Sequence, residues 1–119
     1  KPKKVIPVKS TNMHIVINED GHVLLQKRPP TGIWASLWSL PEGELSLPHL
    51  QLNKGSRWQE IRHTFSHFHL DITPIQYRSK GEHSLMEPDR WLWYNLNQPA
   101  EVGLAAPVTK LLAKLKLAK

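Results

Sequence analysis

The chain has 119 residues, enough for one domain with a single core and too few for a second of ordinary size. Sixteen Lys and Arg stand against ten Asp and Glu, a net charge of +6 with the seven histidines neutral, so acidic partners such as nucleic-acid phosphates are favoured electrostatically. Cysteine is absent and no apolar run approaches the length of a membrane span, which removes disulfide frameworks, thiolate metal sites and a bilayer segment and makes the cytoplasm the expected setting.

Residues 1–10 contain Lys1-Pro2-Lys3-Lys4 and Pro7 without helical period, and read as a basic interdomain linker ahead of a folded unit at 11–119. Met13, Ile15 and Ile17 then alternate with His14, Val16 and Asn18. A second apolar run starts at Val23, and the intervening Asp20-Gly21 pair is a hairpin signal, because glycine accepts the positive φ of a tight turn. Pro29-Pro30-Thr31-Gly32 predicts a rigid turn. Trp34 and Trp38 follow it and are expected to close the core, since large aromatics contribute mainly through burial. From Leu45 to Gln59 the apolar residues are interrupted by Pro48 and Gly55, so at most a short helix is expected there.

The stretch Arg62-His63-Thr64-Phe65-Ser66-His67-Phe68-His69-Leu70 is the most informative of the chain. Phe68, Leu70 and Ile72 alternate with His69, Asp71 and Thr73, which predicts a half-buried strand running past Pro74 towards Tyr77. Phe65, Ser66 and His67 break that alternation and read as a tip where the backbone turns and side chains leave the core. Arg78 to Asp89 reads as a loop. Arg90 to Leu96 predicts a strand apolar on both faces, hence an interior one. Val108, Leu111, Leu112 and Leu115 have helical spacing after Pro107, with lysines towards the end, and predict a basic amphipathic helix packed on the sheet.

Four chemistries suit the tip. His67 and His69, with His63 or Asp71, could hold zinc through imidazole nitrogens. Ser66 and a neighbouring histidine could form a nucleophile and base, although nothing marks a strained elbow or an orienting acid. The tip could read a nucleobase, with Phe65 as apolar support, Ser66 as a hydroxyl that donates or accepts, and His67 as a polar contact. It could also be purely structural, with Phe65 in the core and the histidines solvated. Spacing alone does not choose among these.

Taken in order, Arg28-Pro29-Pro30-Thr31-Gly32-Ile33-Trp34, Leu37-Trp38, Pro41, the stretch from Arg62 to Ile72, Leu92-Trp93-Tyr94-Asn95-Leu96 and Val102 to Val108 resemble the C-terminal domain of bacterial A/G-specific adenine DNA glycosylases, the MutY family. The resemblance runs from about Met13 to Leu117. It implies an α+β fold similar to the Nudix hydrolase MutT, a mixed sheet flanked by helices, with a degenerate Nudix helix. It also implies recognition of 8-oxoguanine opposite adenine in duplex DNA during base excision repair. Phe65, Ser66 and His67 would meet the oxidised base, and Arg28, Arg62, His63 and Thr64 are candidates for further DNA contacts. The implied partners are the mispaired duplex and an N-terminal catalytic domain of the same chain, which would hold an iron–sulfur cluster.

Two departures shape the expectation for this chain. No Asp or Glu occurs between Glu44 and Glu60, where a Nudix helix would supply oxygen ligands to magnesium. The adenine-excising part of such enzymes is also missing. No residue here is therefore expected to be catalytic or metal-ligating, and no cofactor is expected. The alternatives are a vestigial or active Nudix-type nucleotide pyrophosphohydrolase and a protein-interaction module built on the Trp-rich segment.

Overall fold

A computed structural model describes residues 6–43, 51–80, 90–98 and 101–117. Two long strands form its spine. β1 (Val8–Ile17) and β7 (His69–Lys80) run parallel, in a register from Val8 opposite His69 to Ile17 opposite Arg78. β7 shows the expected alternation, with Leu70 and Ile72 buried and His69, Asp71 and Thr73 less so. β1 is buried on both faces from Met13 onward, because its inner half lies in the middle of the sheet.

The hairpin from β1 into β2 (Val23–Lys27) turns at Gly21, whose φ is 82°. The Asn18 side-chain oxygen accepts from the backbone N–H of Asp20 at 3.0 Å and of His22 at 2.8 Å, which holds the turn. β2 also pairs with the short β3 (Trp38–Ser39) and with β8 (Trp91–Tyr94).

Along its opposite edge β7 carries three short antiparallel strands end to end: β4 (Gln51–Leu52), β5 (Ser56–Arg57) and β6 (Ile61–Thr64). The allowance for a short helix in this region is thus taken up by strand over the part described, while 44–50 lie outside the described residues. Pro74, which has no N–H to give a ladder, falls opposite the gap between β5 and β6, where its carbonyl accepts from Trp58 N–H at 2.8 Å.

α1 (Ala106–Leu117) is the one helix among the described residues. Its Val108, Leu111, Leu112 and Leu115 are buried in the same cluster as Met13, Ile15, Leu25, Leu70 and Ile72, so the helix covers one sheet face as its spacing predicts.

Three expectations need correction. Val8–Ser10, read as linker, already pair with β7, so the folded unit begins ahead of residue 11. Arg78–Lys80, read as the start of a loop, complete β7, where Ser79 and Lys80 pair with β4; residues 81–89 lie outside the description. β8 is an edge strand, pairing among the described residues with β2 alone, and its Trp91, Leu92 and Trp93 are only half-buried.

Candidate nucleic-acid interface

β6 and β7 are joined by the tightest connection in this part of the sheet. Thr64 pairs with His69, and Phe65 N–H donates to the Phe68 carbonyl at 2.8 Å, leaving Ser66 and His67 as a two-residue apex. Both apex side chains are exposed. Phe65 and Phe68 flank them with rings stacked at 4.5 Å and 23°; Phe68 is buried and Phe65 half-buried. Of the three expected tip residues, two leave the core and the third anchors them to it.

A second element supports that anchor. The turn after Pro29-Pro30 brings the Trp34 indole to 5.3 Å from the Phe65 ring and 5.5 Å from His63, while His63 lies 4.7 Å from Phe65. Trp34 reaches this position with a φ of 52°, and Ser36 has a φ of 60°. Such left-handed geometry is unusual for a bulky side chain and persists where surrounding contacts enforce it. The sequence marked Trp34 only as a core residue. It does pack on the core, but its contact with the tip depends on a backbone conformation that no spacing rule announces.

The polar neighbours divide into engaged and open groups. Arg62 donates from Nε to Asp71 Oδ1 at 2.6 Å and from Nη2 to Oδ2 at 3.1 Å, a two-point pair across β6 and β7. That hydrogen bonding, followed by the charge of Asp71, raises the Arg62 pKa; the bond from Arg62 holds the Asp71 carboxyl below its ordinary value against a smaller opposing effect of desolvation. The Thr64 hydroxyl lies 2.9 Å from His69 Nδ1. Lys9, from the segment expected to be linker, places Nζ 4.8 Å above the Phe68 ring, a cation held at the base of the tip.

Arg28 sits elsewhere. Its guanidinium pairs with Glu42, and it borders a depression with Lys27, Pro29, Pro30, Ser36 and Arg90, none of them a tip residue. The structure thus brings Arg62, His63 and Thr64 beside Phe65, Ser66 and His67 on one hairpin and leaves Arg28 apart from it.

The competing chemistries fare less well. His69 is engaged by Thr64 and Asp71 by Arg62, and no group of three or more His, Asp or Glu among the described residues is placed to hold a metal ion. Ser66 Oγ is 3.4 Å from His67 Nδ1, longer than an activated nucleophile needs, and the pair is open to water. No helix of the described residues is long and apolar enough to cross a membrane.

Residues 12–114 match the NUDIX domain family. An adenine DNA glycosylase of Buchnera aphidicola subsp. Baizongia pistaciae is 29% identical over 124 residues, covering 98% of this chain and 35% of that protein. The chain therefore spans about a third of the length of the curated relatives it matches. Among solved structures, the MutT NUDIX hydrolase from Burkholderia pseudomallei superposes with a TM-score of 0.69 at 19% identity, covering 91% of this chain and 98% of that one. The C-terminal domain of mouse MUTYH, solved in complex with human PCNA, superposes with a TM-score of 0.65 at 16% identity, covering 92% of this chain and 88% of that one.

Proposed function

This chain belongs to the NUDIX domain family, and we propose that within it the chain serves as the lesion-reading, non-catalytic domain of an adenine DNA glycosylase, recognising 8-oxoguanine opposite adenine in duplex DNA. The likeness to adenine DNA glycosylases over 98% of the chain supports the parentage. The observation that carries the reading is the exposed Ser66 hydroxyl at the apex of a two-residue turn, clamped by the Phe65–Phe68 backbone bond and ring stack.

The chemistry follows from the damage itself. Guanine presents N7 as an acceptor on its major-groove edge, whereas 8-oxoguanine carries N7–H and a C8 carbonyl. A hydroxyl oxygen at Ser66 accepts from the new N–H; opposite normal guanine it has to donate instead. The aromatic support beneath the apex fixes where that oxygen stands, and the His67 imidazole beside it supplies a further polar contact. With its proton turned to His67 Nδ1, 3.4 Å away, the hydroxyl has only a lone pair to offer, and against guanine N7 two acceptors then face each other unpaired, at a cost of about 1–3 kcal/mol, which is tenfold or better discrimination.

Excision belongs to another part of the protein in this reading, with the adenine turned out of the stack into a separate pocket. An iron–sulfur cluster would reside there too, because a chain with no cysteine has no thiolates with which to hold one.

The test is the binding of wild-type and Ser66→Ala chains to duplexes holding 8-oxoguanine or guanine opposite adenine. The expected result is about a tenfold loss of preference for the oxidised base at unchanged thermal stability. Equal weakening on both duplexes overturns the role assigned to Ser66.

A further inference from the structure

We propose that the groove between β6 and α1 is a second DNA contact of this domain, in which Lys110 and Lys114 hold backbone phosphates of the duplex whose oxidised base meets the tip. The inference takes its ligand from the lesion-reading function proposed above. Ile61, Arg62 and His63 line the groove on one side and Lys110, Leu111 and Lys114 on the other, around a volume of about 150 Å3. Pockets that enclose small molecules start at about 300 Å3, so this space admits a phosphate group and not a nucleoside.

Its cations differ in availability. The Arg62 guanidinium is engaged by Asp71. Lys110 and Lys114 are exposed and have no ion pair among the described residues. They stand four positions apart, one helical turn, where like charges repel and mildly destabilise a helix. No acidic residue on their own helix offsets them: the chain carries no Asp or Glu after Glu101, while Lys110, Lys114, Lys116 and Lys119 follow. A pair of adjacent, uncompensated ammonium groups beside a small groove is matched by consecutive anionic oxygens, and a nucleic-acid backbone presents these at regular spacing.

Position ties the groove to the tip. His63 belongs to both, lining the groove and packing 4.7 Å from Phe65. At about 3.3 Å per residue in β6, with the chain turning after Thr64, Arg62 and Ser66 lie at most about 13 Å apart, or roughly four base-pair rises of 3.4 Å. The phosphates concerned therefore lie within about four nucleotides of the lesion.

The experiment measures binding of the chain to an 8-oxoguanine:adenine duplex between 50 and 200 mM salt. For Lys110→Ala/Lys114→Ala, the slope of log affinity against log salt should fall by about 1.8, so that wild type loses about 12-fold more affinity than the variant across that range. Lys110→Arg/Lys114→Arg should keep the wild-type slope, and Lys116→Ala, off the groove, should not change it. Neutral methylphosphonates placed singly within about four nucleotides of the lesion should, at one or two of those positions, weaken wild type and leave the double alanine variant unaffected. An unchanged slope in a folded double variant overturns the proposal, as does loss of poly-glutamate binding without loss of DNA binding, which would assign the groove to an acidic protein. If Ser66→Ala leaves lesion preference intact while the slope still falls, the tip reading fails and the groove stands. Absence of wild-type binding at 50 mM salt overturns both.

Discussion

The indole of Trp34 stands 5.3 Å from the ring of Phe65 at a tilt of 49°, which joins a turn near the start of the chain to the hairpin that carries Ser66. The contact is maintained against backbone strain: a non-glycine residue in the left-handed region costs of order 1–3 kcal/mol, and the turn recovers it through Ser36 N–H to the Pro29 carbonyl at 2.9 Å and Leu37 N–H to the Trp34 carbonyl at 3.1 Å. Trp34→Ala removes a half-buried ring from two aromatic neighbours, His63 and Phe65, at once. Urea unfolding should show a loss of roughly 2 kcal/mol, below the range for a fully buried Trp. In DNA binding the same variant should lose part of its preference for 8-oxoguanine although Ser66 is untouched, because the apex no longer has a fixed base. Unaltered preference at reduced stability would show the ring to be structural only.

The elements with a sustained period were legible from the residues alone. The alternation from Phe68 to Thr73 and the spacing of Val108, Leu111, Leu112 and Leu115 correspond to β7 and α1, and the break at Phe65–His67 marks the turn itself. β4 and β5 are two residues each, too short to carry any period, and exist because the free edge of β7 offers backbone partners. β8 misled because its pattern is apolar on both faces. Its aromatic side chains supply contact area from an edge, and a strand with one neighbour is left half-buried. The role of Trp34 depends on a positive φ, and that of Lys9 on the parallel pairing of β1 with β7, a long-range register that local sequence does not encode.

Two glycines should respond differently to alanine. At Gly55, between β4 and β5, an added Cβ would lie 2.7 Å from Ile75 Cγ2 and 2.7 Å from Tyr77 Cε1, a branched carbon and a ring that have little room to yield. Gly55→Ala should destabilise by about 1–3 kcal/mol through overpacking against β7. At Gly103 the Cβ would meet Leu37 Cδ2 at 2.8 Å, the mobile end of a side chain, so Gly103→Ala should stay within about 0.5 kcal/mol of wild type. Denaturant midpoints of the two variants, measured together, check the contrast.

The Arg62–Asp71 pair predicts a pH response of definite sign. The hydrogen bond from Arg62 lowers the folded-state pKa of Asp71, so the stabilisation it gives is present above the ordinary carboxylate range and disappears as pH falls through the lowered value. Carbon-detected NMR titration should place the Asp71 midpoint below that of an unperturbed Asp. In Arg62→Gln it should return upward. Arg62 is half exposed while Asp71 is largely covered, so added salt should narrow the difference only in part. An Asp71 midpoint that is the same in both proteins would remove the pair from any role in fixing the β6–β7 hairpin.

Membership of the NUDIX domain family raises the question of nucleotide hydrolysis, and the expected answer is negative. Magnesium is held octahedrally by oxygen ligands, and a hydrolase of this kind needs carboxylates clustered on one element. Between Glu44 and Glu60 the chain offers Ser, His, Asn, Lys, Arg, Gln and apolar residues and no carboxylate. Glu42, just before that interval, is engaged by Arg28 and accepts from the Thr11 hydroxyl at 3.1 Å. Incubation with 8-oxo-dGTP and magnesium should therefore release no pyrophosphate above a protein-free blank. Turnover that disappears with EDTA and in Glu60→Gln would instead mean that Glu60, exposed just ahead of β6, is recruited by a metal bound through the substrate's own phosphates, and the domain would have to be regarded as an enzyme in its own right.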